Sequence, residues 1–149
     1  MRLRPAARFS RSVHEQTERR QFDFWVGEWD CTWDGGRGTN VVTSELDGTV
    51  ILERFDGRPG TELRGISVSV FDAGQGVWRQ TWVDSSGGYL DLSGGFADGV
   101  MELRHDNGAP FRMRFTDLAA DSLVWRWERW DEETRAWEER WRIDYARRG

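Results

Sequence analysis

The segment GVWRQTWVD, residues 76–84, sets Trp78, Gln80, Trp82 and Asp84 at a spacing of two. Side chains along an extended strand point alternately to opposite faces, so these four share one side. Two indoles with a carboxamide and a carboxylate between and beyond them have the chemistry of a small-molecule pocket: apolar area for affinity, a few polar atoms for orientation. A buried Gln80 costs free energy unless a side chain, a water or a ligand hydrogen-bonds it.

A second candidate lies in TVILERFD, residues 49–56, which is apolar on both faces. If Ile51 and Phe55 point inward, Glu53 joins them; if Val50 and Leu52 do, Arg54 does. The first phase is preferred here. Glu139 shares parity with Trp137 and Trp141, which makes it another candidate inward carboxylate. A carboxyl group among indoles is pushed toward its neutral form and could serve as a general acid or base. Glu53 and Asp84 are therefore the catalytic candidates should the chain be an enzyme. Alternatively, Glu53 simply pairs with an arginine or lies at a rim.

Other chemistries lack their residues. All 21 basic residues are arginine, so Schiff-base chemistry through lysine is excluded. Cys31 is the single cysteine, and the two histidines, His14 and His105, stand in no ligand-spaced motif; no metal site and no cofactor are expected. Ser85 and Ser86 precede a Gly-Gly turn with no strand-to-helix context, so neither is a nucleophile elbow. DGGRG and DAGQG lack the strand-to-helix setting of a phosphate cradle. Cys31, between Trp29 and Trp33 on one face, reads as a buried inert thiol.

These residues need a scaffold, and the sequence supplies one. The chain has 149 residues, enough for one core, and its low hydrophobic fraction of 38% is offset by ten tryptophans. Glycine-containing turns (DGGRG, LDG, DGRPG, DAGQG, SSGG, ADG and DNGAP) and two polar turns (LAAD and DEETRA) cut the chain at short, even intervals. The expected strands are 28–34, 39–46, 49–56, 62–71, 76–84, 88–94, 99–105, 110–117, 122–130 and 136–145. Ten strands with hairpin-length connections form an antiparallel meander, and a meander of this length removes its edges by closing into a barrel. The fold class is thus all-β, an up-and-down barrel of about ten strands.

Alternation assigns Phe111, Met113 and Phe115, then Leu123, Trp125 and Trp127, then Trp137, Trp141, Ile143 and Tyr145 to the inner wall. Arginine and glutamate rows fall on the outer wall. Residues 13–25 suit a short helix, and residues 1–12 read as a flexible basic extension ahead of a single domain over 13–149. A net charge of −5 with no basic face argues against nucleic acid. No apolar run is long enough for a membrane span or a secretion signal, so a cytoplasmic location is expected.

An FDFW segment running into Gly27-x-Trp29, WRQTWVDSSGG at 78–88, and WERWDEETRAW leading to IDYAR together resemble a bacterial family of unassigned function in the calycin superfamily, the lipocalin-like and fatty-acid-binding-protein-like barrels. The resemblance covers residues 21–147. It implies a closed barrel with a central cavity, a short N-terminal helix at one end, and Trp29 packed at the closed base. Related haem-binding barrels use an inner-wall histidine; His105 sits where a strand enters a turn, so haem is not expected.

The expected function is binding of a small apolar or aromatic molecule by Trp78, Gln80, Trp82, Met113, Trp125, Trp127, Glu139, Trp141 and Tyr145. The alternative is a cofactor-independent cyclase, isomerase or hydrolase in the same cavity. A third reading is a filled barrel acting as a homodimerisation module.

Overall fold

A computed structural model of the chain describes residues 17–149. The expected basic extension and the first residues of the expected helix, 13–16, lie outside the described residues. From Thr17 onward the backbone makes successive i→i+3 turns, with Arg20 N donating to Thr17 O at 3.1 Å and Asp23 N to Arg20 O at 3.0 Å, and ends in a 3-10 turn at Asp23–Trp25. Thr17 and Glu18 are helical, residues 19–22 form turns, and the 3-10 turn ends the segment, so the expected helix does not continue through to Trp25.

Ten strands follow: β1 (Gly27–Trp33), β2 (Gly36–Glu45), β3 (Val50–Asp56), β4 (Arg64–Asp72), β5 (Val77–Asp84), β6 (Tyr89–Ala97), β7 (Val100–His105), β8 (Phe111–Thr116), β9 (Ser122–Asp131) and β10 (Ala136–Arg147). Each pairs antiparallel with the next, and β1 pairs with β10, closing an up-and-down barrel. Closure leaves none of these ten strands with a free edge to recruit a foreign strand. No helix among the described residues is long and apolar enough to cross a membrane.

One end of the barrel is stoppered by aromatic rings. Phe22 stacks on Trp25 at 5.1 Å and meets Trp78 and Phe115 edge-on, each at 5.2 Å. Trp29 donates its Nε1–H to Trp25 O at 2.8 Å, and the Arg147 guanidinium lies 4.2 Å above the Trp29 ring. Arg147 also donates to Val26 O at 2.7 Å and Phe24 O at 3.3 Å, so the last strand ties the entry segment to the first strand. Gly27 is required there: its φ is 149°, and a Cβ would collide with the Arg147 guanidinium. Each fully buried indole contributes at most about 4–6 kcal/mol of transfer free energy, and Trp25, Trp29 and Trp78 are all within 2% of complete burial. Much of the core's apolar burial is concentrated at this end.

The inner wall follows the expected alternation along β8 and β9, and Ile51, Glu53 and Phe55 of β3 are buried, which selects the first of the two phases. In β10 the expectation fails for Trp137 and Glu139. Glu139 stands opposite Glu128, yet Trp141 stands opposite Trp127, so Arg140 is one extra residue in β10. This β-bulge shifts the alternation by one, so Trp137 and Glu139 face outward while Trp141, Ile143 and Tyr145 still face inward. Outside the barrel, Glu139 accepts from Arg126 at 3.0 Å, and Trp137 covers Arg112 at 4.1 Å. Beneath Trp137, Arg112 bridges Glu102 and Glu128, both at 2.8 Å, as the charge rows on neighbouring strands anticipate.

Strand β4 has its apolar residues outside. Ile66, Val68 and Val70 are 41%, 44% and 40% exposed, while Ser67 and Ser69 are 1% exposed within the barrel. The interior beside β3 is therefore polar.

Candidate functional site

Above the stopper lies a cavity of about 170 Å³. Trp25 and Phe115 form its floor, and Met113, Trp125, Ile143, Tyr145 and Glu53 line its walls. Phe55, Leu63, Trp82, Leu90, Trp127 and Trp141 surround the upper part. Around the mouth the rings contact one another edge-on: Trp33 and Trp141 at 5.3 Å, Phe55 and Trp141 at 5.9 Å, Trp125 and Trp141 at 5.8 Å. Such contacts favour defined ring positions over a fluid lining. Gly65 of β4 leaves the space that the Trp82 indole fills, since a Cβ on it would strike that ring.

Glu53 and Tyr145 are the polar groups of the lining, and further polar side chains pack behind them. Asn40 of β2, Glu53 of β3 and Ser67 of β4 face inward on consecutive strands and are 0%, 6% and 1% exposed. Asn40 Nδ2 donates to Glu53 Oε2 at 2.7 Å and to the Tyr145 hydroxyl oxygen at 2.9 Å. The Ser67 hydroxyl donates to Glu53 Oε1 at 2.7 Å. Cys31 stands opposite Tyr145 across the β1–β10 closure. Among the described residues no arginine forms an ion pair with Glu53.

Burial dominates the electrostatics. It raises Glu53 to about 7, with the hydrogen bonds from Ser67 and Asn40 opposing it in part. Cys31 and Tyr145 are both pushed upward, chiefly by burial, so both are protonated at neutral pH. The cavity thus holds a single carboxyl group poised between its charged and neutral forms.

The structure brings most of the expected residues together and separates the others. Glu53, Trp82, Met113, Trp125, Trp127, Trp141 and Tyr145 share the cavity. Trp78 lies in the stopper, with its Nε1–H donating to Gln21 Oε1 at 3.2 Å. Gln80 is buried beside β4, donating to the Ser69 hydroxyl at 3.0 Å, and its Oε1 has no partner among the described residues. Asp84 caps the following turn. It accepts from the Ser86 hydroxyl at 2.5 Å, the Trp82 indole at 2.8 Å and the Gly88 amide at 3.0 Å, and these donors, Ser86 first, hold it at about 2. Asp84 is therefore ionised at neutral pH and fixes the Trp82 ring. Glu139 stands on the outer wall.

Sequence reasoning overlooked Asn40 and Ser67. Asn40 shares parity with the apolar Val42, a usable signal; Ser67 alternates with Ile66 and Val68, which points the wrong way. Among the described residues no group of three or more histidine, cysteine or carboxylate side chains could hold a metal ion. No protein-family model and no curated protein matches the chain.

Proposed function

We propose that this chain is a calycin-type barrel that binds one small aromatic or apolar molecule inside its cavity. The observation that carries the reading is the cavity itself: about 170 Å³ faced by five tryptophans, with a buried carboxyl at one wall. An apolar cavity of about 150 Å³ accommodates benzene, so the volume suits a ligand of about one ring. Fatty acids and haem exceed it. The test is titration of intrinsic tryptophan fluorescence with single-ring compounds in the wild type and in Trp82→Ala. Saturable binding weakened by about 1–3 kcal/mol in the variant supports the reading; no saturable response in the wild type rejects it.

A second reading, a cofactor-independent enzyme, draws on one observation, that Glu53 titrates at about 7 in a cavity wall. A group with that pKa suits general acid or base work at neutral pH. Once a ligand is known, Glu53→Gln distinguishes the readings: for an enzyme, turnover falls by about 10²–10⁴ while affinity stays within about tenfold.

A further inference from the structure

The polar wall of the cavity is unbalanced. An ionised carboxylate offers about four acceptor positions. Among the described residues Glu53 accepts from two side chains, the Ser67 hydroxyl and Asn40 Nδ2, both neutral. The Asn40 amide has a further acceptor, Oδ1, that is buried without a partner among the described residues. Among the described residues no guanidinium reaches Glu53, although several arginines pair with carboxylates on the outer wall. A buried carboxylate without a cation is costly, and the described residues give this one only neutral donors. The remaining surface of the cavity is five indole rings, Phe55, Phe115 and aliphatic side chains. Indole faces attract cations through the ring quadrupole, more strongly when the cation is desolvated. The same enclosure therefore offers two features that favour positive charge: a buried carboxylate held by neutral donors and a cage of aromatic faces.

From this juxtaposition we propose that the ligand is a small organic cation, a single-ring amine whose ammonium group docks on Glu53 while its ring packs among the tryptophans. The proposal rests on the cavity being a binding site, as above, and adds the charge of what it binds. The ammonium supplies N–H donors to Glu53 and the counter-charge that none of the described arginines provides. The carboxylate's single charge matches a monoamine; a second ammonium would have no counter-charge in this lining.

Three compounds of one shape separate the possibilities: benzylamine, benzyl alcohol and phenylacetate, titrated by calorimetry at pH 8. The expected result is benzylamine bound about 10- to 100-fold more tightly than benzyl alcohol, the range of one charge-assisted hydrogen bond made in a desolvated site. Phenylacetate is expected to be excluded. In Glu53→Gln the preference for the amine over the alcohol is expected to disappear. A measurement on the unaltered protein guards against a variant that fails to fold. At pH 6 benzylamine should drive a proton off Glu53, so the binding enthalpy changes with the ionisation enthalpy of the buffer. Among the described residues, Tyr145 on β10 and Cys31 on β1 are the other titratable groups facing this wall, and both remain protonated at this pH. Benzyl alcohol or phenylacetate bound as tightly as the amine, or no proton release, overturns the cationic ligand while leaving the cavity as a binding site. If none of the three binds and ethylbenzene also fails, the binding function falls with it.

Discussion

Ser67 and Glu53 face each other across the β3–β4 ladder inside the barrel, 2.7 Å from hydroxyl to carboxylate. The serine is inside because β4 turns its isoleucine and valines outward. This inversion gives Glu53 a donor where an aliphatic side chain would have left its carboxyl bare, and so allows a carboxyl group in an otherwise apolar cavity.

Folding stability is expected to fall with rising pH because of Glu53. The group titrates near 7 when folded against an ordinary value of 4.5, so between those values the folded state binds more protons than the unfolded state. Its contribution is fully present below 4.5 and is lost as pH rises through 7, a change on the order of 3 kcal/mol. Asp56 and Asp84, both held near 2, are ionised throughout that window and do not mask the effect. Denaturant unfolding at pH 5 and pH 8 measures it. Glu53→Gln should flatten the difference; an equal slope in the variant would assign the effect elsewhere.

Gly65→Ala is expected to displace Trp82. The new methyl group would occupy the place of the indole ring, which is also held by its hydrogen bond to Asp84. Overpacking of this kind costs about 1–3 kcal/mol. The tryptophan emission should shift, and affinity for a single-ring compound should drop along with stability. Unchanged emission would mean that Trp82 does not fill the space above Gly65.

On the outer wall, Arg112 is the shared partner of Glu102 and Glu128, with only 13% of its side chain exposed, under the Trp137 ring. Arg112→Ala leaves Glu128 covered and unpaired, an expected loss of about 2–4 kcal/mol, somewhat below the cost for a fully buried pair. Replacing Arg112 and Glu128 together by leucine should recover most of it. A double variant as unstable as the single one would show that packing under Trp137, and not the charge, carries the effect.

Cys31 is expected to resist thiol reagents in the folded protein. It is 0% exposed, and burial holds it as the unreactive thiol. Labelling with an aromatic disulfide should be negligible without denaturant and complete on unfolding; rapid labelling under native conditions would reveal an opening of the wall between β1 and β10.

The ten strands were legible because glycine turns and period-two alternation carry the same message along the chain. Strand β3 was legible only as a choice of two phases, since both of its faces are apolar. The depth of Trp78 was not legible: it shares a face with Trp82, but strand length, not pattern, decides that one indole meets Phe22 while the other meets the cavity. The bulge at Arg140 was hidden as well, because WEERW keeps a formal alternation while an inserted residue reassigns Trp137 and Glu139. The seam from Asn40 through Glu53 to Ser67 escaped because it joins three strands whose register sequence alone does not supply.

The most direct test of the account is the stoichiometry and size limit of binding, read by tryptophan fluorescence and calorimetry with ethylbenzene and with a series of larger aromatic hydrocarbons. One equivalent of the single-ring compound should bind saturably, and compounds of three or more fused rings should not bind, because the cavity measures about 170 Å³. Absence of any saturable single-ring binding would make the five indoles a packed core and would contradict the central claim.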